Sequence, residues 1–262
     1  MTALPITVAP DYALGAPSVR LFGTMEFTFG KTPTATKQRQ LLALLASRAG
    51  QQVTMRTLIE ELWPGLEIRK PRASVETYVR WLRKSFGHET IPRRPMGYTF
   101  AVDPMMVDAH RFGAYVDQAE RESHGDVLAA QDTLRAAMSL WRGPVLEDVE
   151  RGPVLYRWAA GVEDKYRTAQ ALGWGIALRQ GRHRDILDEL RAALREDWTA
   201  EHVAQLLMTA LYRSGRQVEA LAVFRTVRRA LIEEQGLRPC RELQRLEQQI
   251  LAGDSALELA AK

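Results

Sequence analysis

The chain has 262 residues, 46% of them hydrophobic and 26% charged, and a formal net charge of +4. That length provides for two domains with a core that needs no staples, and a single cysteine, Cys240, excludes an intrachain disulfide framework and fits a reducing, cytoplasmic setting. No window approaches the roughly eighteen apolar residues that cross a bilayer, and residues 1–17 lack the basic and apolar regions of a secretory signal, reading instead as a flexible lead-in.

Residues 19–22 and 25–29 are short β-prone runs separated by Gly23 and Thr24, which predicts a hairpin. Gly30, Lys31 and Thr32 imitate the end of a phosphate-binding loop, but Met25 stands where that motif requires its first glycine, so the nucleotide reading fails. Thr34 or Thr36 can cap a helix running to about Ser47, with Leu41, Leu42, Leu44 and Leu45 inward and Gly50 closing it. Thr54 caps a second helix over 55–62, which ends at Trp63 because Pro64 disfavours helical geometry in the residue before it. A loop over 65–70 leads to Pro71, suited to the first turn of a third helix over 71–87. Residues 90–94 and 98–102 then read as two strands around Pro95, Met96 and Gly97, a hairpin with Arg93 and Arg94 near its tip.

The third helix organises the rest. At 3.6 residues per turn, Val75, Val79, Leu82 and Phe86 line one face. Ala73, Thr77, Arg80 and Lys84 line the opposite face, with Ser74 and Trp81 at its edge and Arg72 and Arg83 on the flanks. One side can anchor to a core while the other offers hydrogen-bonding and cationic groups to a major groove about 12 Å wide. The charge supports this division. Residues 1–103 hold 14 Lys/Arg against 8 Asp/Glu, a net of +6, whereas residues 104–262 hold 22 against 24, a net of −2. A polyanionic partner is expected for the first part only. Helix, helix, basic helix, basic hairpin is the order of a winged helix-turn-helix.

These residues carry a family resemblance. Residues 75–87 (VETYVRWLRKSFG) and 91–100 (IPRRPMGYTF) resemble the recognition helix and wing of OmpR/PhoB-type DNA-binding domains. Residues 108–112 (DAHRF), 140–145 (LWRGPV) and 207–221 (LMTALYRSGRQVEAL) look like a bacterial transcriptional activator domain. Together they resemble the Streptomyces antibiotic regulatory protein family of pathway-specific activators, over about residues 18–252. The resemblance implies a transcriptional activator of a biosynthetic, antibiotic-type gene cluster. Its implied partners are double-stranded promoter DNA bearing direct repeats, RNA polymerase including its sigma factor, and a second protomer as a homodimer on DNA. It implies no membrane partner and no cofactor or metal, in a cytoplasmic, nucleoid-associated protein.

By the same resemblance, Thr77, Tyr78, Arg80, Trp81 and Lys84 are the residues that approach bases, and Arg80 best suits bidentate contact with guanine. Arg69, Lys70, Arg72 and Arg83 read as phosphate contacts that fix register without reading sequence, and Arg93 and Arg94 place the wing in or over a minor groove. Trp81 departs from the family, which carries a basic or small polar residue there; its indole either packs against the DNA backbone or caps a domain interface. Glu76 could accept from a cytosine, or pair with Arg72 or Arg80 on the helix flank. Trp63 and Glu67 lie in a loop that corresponds to a polymerase-touching segment.

Beyond Val107 only helix signals remain. Gly181 and Gly215 lie 34 residues apart, the period of tetratricopeptide helix pairs. Ala220 and Phe224 follow Gly215 at the offsets that repeat requires, Ile186 and Leu190 follow Gly181, and Ala130 and Leu134 make a partial third match behind Gly125. Residues 241–251 read as a final helix with Leu243, Leu246, Ile250 and Leu251 as its apolar stripe. No catalytic constellation emerges: the five histidines are scattered, and neither a zinc spacing nor a nucleophile elbow occurs. Asp103, Asp108 and Asp117 read as caps or surface residues, and Glu147 and Asp148 as an exposed acidic pair.

The expected fold is therefore mainly α: a flexible segment 1–17, a winged helix-turn-helix with a small β-sheet and wing over 18–103, an all-α tetratricopeptide-like helical-repeat domain over 107–252, and a flexible tail 253–262. The expected protein is not an enzyme. The alternative from another class is a helical-repeat protein–protein adaptor whose winged helix does not bind DNA.

Overall fold

The computed structural model describes residues 16 and 18–257; the expected lead-in, apart from Ala16, and the last five residues of the expected tail lie outside the described residues. Val19–Arg20 (β1) and Glu26–Phe27 (β2) pair antiparallel, with Val19 opposite Phe27, so the expected hairpin forms across a five-residue connection. Thr36–Ala46 (α1) follows, with Leu41, Leu42, Leu44 and Leu45 all buried. Neither Thr34 nor Thr36 caps it. Ala35 holds the N-cap position without a side-chain bond, and the Arg39 guanidinium instead fixes the chain entry by donating to the Pro33 carbonyl.

Gln52–Thr54 (β3) is a strand that sequence pattern did not foretell, because three residues are too few to display alternation. Thr54 then caps Met55–Leu62 (α2) by accepting from the Thr57 amide at 3.2 Å. Pro71–Phe86 (α3) buries Val75, Val79, Leu82 and Phe86 on one face, the face its periodicity defines. Arg93–Arg94 (β4) and Gly97–Thr99 (β5) form the wing hairpin, and β5 sits between β3 and β4 in a three-stranded antiparallel sheet. Gly30, whose surroundings imitated a phosphate loop, lies against the Phe86 ring at the edge of a cluster of Phe27, Phe29, Phe86 and Phe100. Its role is packing.

Helices then take over: Asp108–Glu122 (α4), Val127–Ser139 (α5), Pro153–Arg179 (α6), Leu187–Glu196 (α7), Glu201–Arg213 (α8), Gln217–Ala230 (α9) and Arg241–Ala252 (α10). The chain divides into two compact units between Ala169 and Gln170. The first unit therefore holds α4, α5 and the start of α6 together with the winged helix, well beyond residue 103.

The second unit is built from repeated turns. Gly181 and Gly215 adopt the left-handed backbone (φ 76° and 75°) that closes a helix. In each turn the next amide reaches back five residues, Arg182 to the Ala177 carbonyl and Arg216 to the Leu211 carbonyl, both at 2.9 Å. The residues predicted to face inward do so: Ile186, Leu190, Ala220 and Phe224 are buried here, as are Ala130 and Leu134 in the first unit. Leu243, Leu246 and Ile250 of α10 join this core, whereas Leu251 is 55% exposed and does not belong to the stripe. Following Ile250 directly, Leu251 points about 100° further round the helix and so falls outside the stripe. Residues 253–257 of the expected tail are tied down by Arg213, whose Nε donates to the Leu257 carbonyl at 2.8 Å.

Candidate nucleic-acid interface

α3 presents its polar face because the buried stripe fixes its rotation. Thr77, Arg80 and Lys84 are exposed along that face, and Trp81 stands beside them at 40% exposure. The Thr77 hydroxyl donates to the Ala73 carbonyl at 2.9 Å, which leaves its oxygen lone pairs outward as acceptors. The side chains of Arg80 and Lys84 make no hydrogen bond or ion pair with any described residue, and the same holds for the side chains of Arg69, Lys70 and Arg94.

The other residues singled out from sequence are engaged. Glu76 lies 3.9 Å from Arg72 and 3.8 Å from Arg93, the flank pairing expected with Arg72 plus one reaching to the wing. Arg83 turns toward the wing: its Nε and Nη2 both donate to the Ile91 carbonyl, at 2.9 and 2.7 Å, and its guanidinium lies 5.5 Å from the Tyr98 ring centre. It braces helix against hairpin. Tyr78 is half-buried and its ring lies 6.2 Å from that of Trp63, so this pair joins the α2–α3 loop to the helix. Glu67 is exposed in that loop.

Sequence reasoning missed a joint of carboxylates inside the first unit. Glu61 of α2 is completely buried. Its two oxygens accept from the amides of Gly152, Val154 and Leu155 at 2.6, 2.8 and 3.0 Å, so it caps the N-terminus of α6 from another element. Gly152 is required there, since a Cβ would stand 2.2 Å from the Glu61 carbonyl oxygen. Asp108, expected at a cap or surface, is buried and accepts from the amides of Leu21, Phe22 and Ala109 at 2.8, 3.1 and 2.7 Å. Burial raises its pKa, and those three amides together with Arg142 act against the rise. Asp148, in an exposed loop, accepts from the Met25 amide at 2.9 Å and pairs with Arg39. Phe22 meets Phe112 edge to face and Trp141 at 4.5 Å, and Trp141 stacks on Tyr166 at 4.0 Å. The motifs 108–112 and 140–145 are thus joint residues. A glutamate on the otherwise apolar face of a capped helix was the one signal that could have exposed Glu61.

A basic helix braced to a basic wing, followed along the chain by helix pairs, defines a two-domain winged-helix transcriptional regulator. Two family models match the chain: "Transcriptional regulatory protein, C terminal" over residues 31–100 and "Bacterial transcriptional activator domain" over 107–251. The chain is 30% identical to regulatory protein DnrI of Streptomyces peucetius, across 87% of this chain and 88% of DnrI. It is 36% identical to regulatory protein AfsR of Streptomyces coelicolor across 86% of this chain, yet it spans only 23% of AfsR. The solved structure of Mycobacterium tuberculosis EmbR, in complex with a low affinity phosphopeptide, matches with a TM-score of 0.82 and 28% identity, over 90% of this chain and 65% of that one. The chain belongs to the Streptomyces antibiotic regulatory protein family of transcriptional regulators.

Proposed function

We propose that this protein activates transcription by binding direct repeats in promoter DNA, one protomer per repeat, and recruiting RNA polymerase through its sigma factor. The observation that carries the reading is the exposed row Thr77, Arg80 and Lys84 on α3 beside the wing arginines Arg93 and Arg94, with no side-chain partner for Arg80, Lys84 or Arg94 among the described residues. Thr77, Arg80 and Lys84 read base edges, and Arg80 suits guanine. Trp81 packs against sugar and backbone, and Tyr78 steadies the helix and reaches phosphate. Arg69, Lys70, Arg72, Arg93 and Arg94 contact phosphates and the minor groove. Arg83 acts by holding the wing in place, with Nη1 left for a phosphate. The loop bearing Trp63 and Glu67 meets polymerase, and the helical domain pairs protomers. Membership of the Streptomyces antibiotic regulatory protein family supports a role in controlling a biosynthetic gene cluster. Chemistry on a substrate forms no part of this reading, and a cytoplasmic, nucleoid-bound location follows from it.

Salt titration of DNA affinity tests it. About five phosphate contacts predict a slope of about −4 to −5 in log Kobs against log salt. A flat dependence would remove the phosphate contacts and with them the proposal.

A further inference from the structure

In the second unit, the end of α9 does not close as an ordinary helix. Leu231–Gln235 forms a π-helical turn, ended by Gly236 in the left-handed conformation (φ 67°). π turns widen a helix locally and are frequent at functional sites. Here the widening leaves Ile232 and, just past it, Leu237 at 47% and 56% exposure. Both edge a groove of about 840 Å³ between this turn and α10, floored by the buried Phe224 and Pro239.

Four arginines line the same groove: Arg228 from α9, Arg238 from the connection, and Arg241 and Arg245 one turn apart on α10. None of their guanidinium groups makes a hydrogen bond or ion pair with any described residue. Elsewhere in this unit Arg191 and Arg216 pair with Glu219, and Arg213 donates to the carbonyls of Leu178 and Leu257. Glu247 is the single acid in the lining. Exposed apolar side chains framed by free guanidinium groups are what protein interfaces enrich, and arginine is prominent among their energetic centres.

We propose that this groove docks an acidic segment of a partner protein, with a large apolar side chain seated on Phe224 and Pro239 between Ile232 and Leu237. Carboxylates one helical turn apart on the segment meet Arg241 and Arg245, which share that spacing, in bidentate pairs. A phosphate backbone would satisfy the arginines and leave the apolar floor uncovered, which is why a peptide is the better occupant. This inference does not rest on the DNA reading.

The test uses the full chain and a fluorescein-labelled amphipathic helical peptide of leucines and glutamates, with a control peptide in which every glutamate is lysine. Anisotropy should show saturable binding of the acidic peptide alone. Arg241→Gln with Arg245→Gln should weaken it by about tenfold or more, and Ile232→Ala should weaken it while the melting curve holds. Arg238→Gln, in the connection, provides a variant free of helix effects. Equal binding of the two peptides, or arginine variants that bind the acidic peptide as the wild type does, would overturn the proposal. So would arginine variants that lose affinity for random duplex DNA and keep the peptide, since the groove would then be a nucleic-acid clamp.

Discussion

Glu61 concentrates more consequence than any other single side chain in the first unit. It is a fully buried carboxylate whose compensation is three backbone amides at the start of α6 and the Gln40 side-chain amide, whose Nε2 lies 3.2 Å from it. Truncation leaves the three amides without that acceptor, while Gln40 keeps the Glu61 carbonyl at 2.8 Å, and a buried unsatisfied donor costs about 1–3 kcal/mol. Glu61→Ala should therefore lower unfolding stability by about 2–4 kcal/mol, read as a shift in the urea midpoint at unchanged slope. Gly152→Ala should act in the same direction, because its Cβ would press on the Glu61 carbonyl. A Glu61→Ala protein as stable as the wild type would show that water replaces the carboxylate at no cost. His110 gives the residue scale a pH dependence. Burial lowers its pKa from 6.5, and the backbone at Ala46 and Ser47 acts against the shift. The unfolded chain then binds a proton that the folded chain resists, so stability is complete above pH 6.5 and declines as pH falls through the depressed folded value. His183, in the second unit, shifts in the same direction. Asp108 has the opposite sign: its raised pKa means that stability is lost as pH rises from 3.8 through the folded value. The difference between wild type and His110→Gln isolates the histidine. The melting temperature should fall less for the variant than for the wild type between pH 7.5 and 5.5, and parallel losses would remove His110 from the account.

The elements show where sequence was legible. α3 was readable in rotation and nearly to its ends, because four buried positions recur at helical spacing and Pro71 and Gly87 bracket them. The turns at Gly181 and Gly215 were readable because the left-handed backbone leaves glycine as its cheapest occupant. β3 and the α1 cap were not, since one is a three-residue strand defined by its partner β5 and the other lacks a side-chain bond altogether. Within the candidate interface, periodicity placed Arg83 on the flank of the helix, and only the fold shows its guanidinium turned onto the Ile91 carbonyl. Two predictions belong here. Arg80→Ala should reduce affinity for the cognate operator by about 1–3 kcal/mol and relax preference at one base pair, whereas Arg93→Ala should weaken all sequences alike. Competition binding against random duplex separates the two, and equal losses on both DNAs for both variants would erase the distinction between reader and clamp. Arg83→Ala should reduce affinity through a loosened wing, seen as faster amide exchange at Tyr98 and Thr99 in the free protein; unchanged exchange would return Arg83 to the role of a simple phosphate contact.

At the scale of the molecule, the first compact unit extends past the winged helix to Ala169. The residues responsible lie far apart in sequence: Glu61 with Gly152, Asp108 with Leu21, and Phe22 with Trp141. No local pattern encodes such pairings, which is why the sequence divided the chain near residue 103. The family motifs at 108–112 and 140–145 marked the joint without revealing what it joined. The most direct measurement is selection of bound sequences from a random duplex library by the full chain. Recovery of paired direct repeats separated by about one helical turn, roughly 10–11 bp, is the predicted result. Recovery of no shared motif at low salt would contradict the account, leaving α3 and its wing as a basic surface without sequence preference.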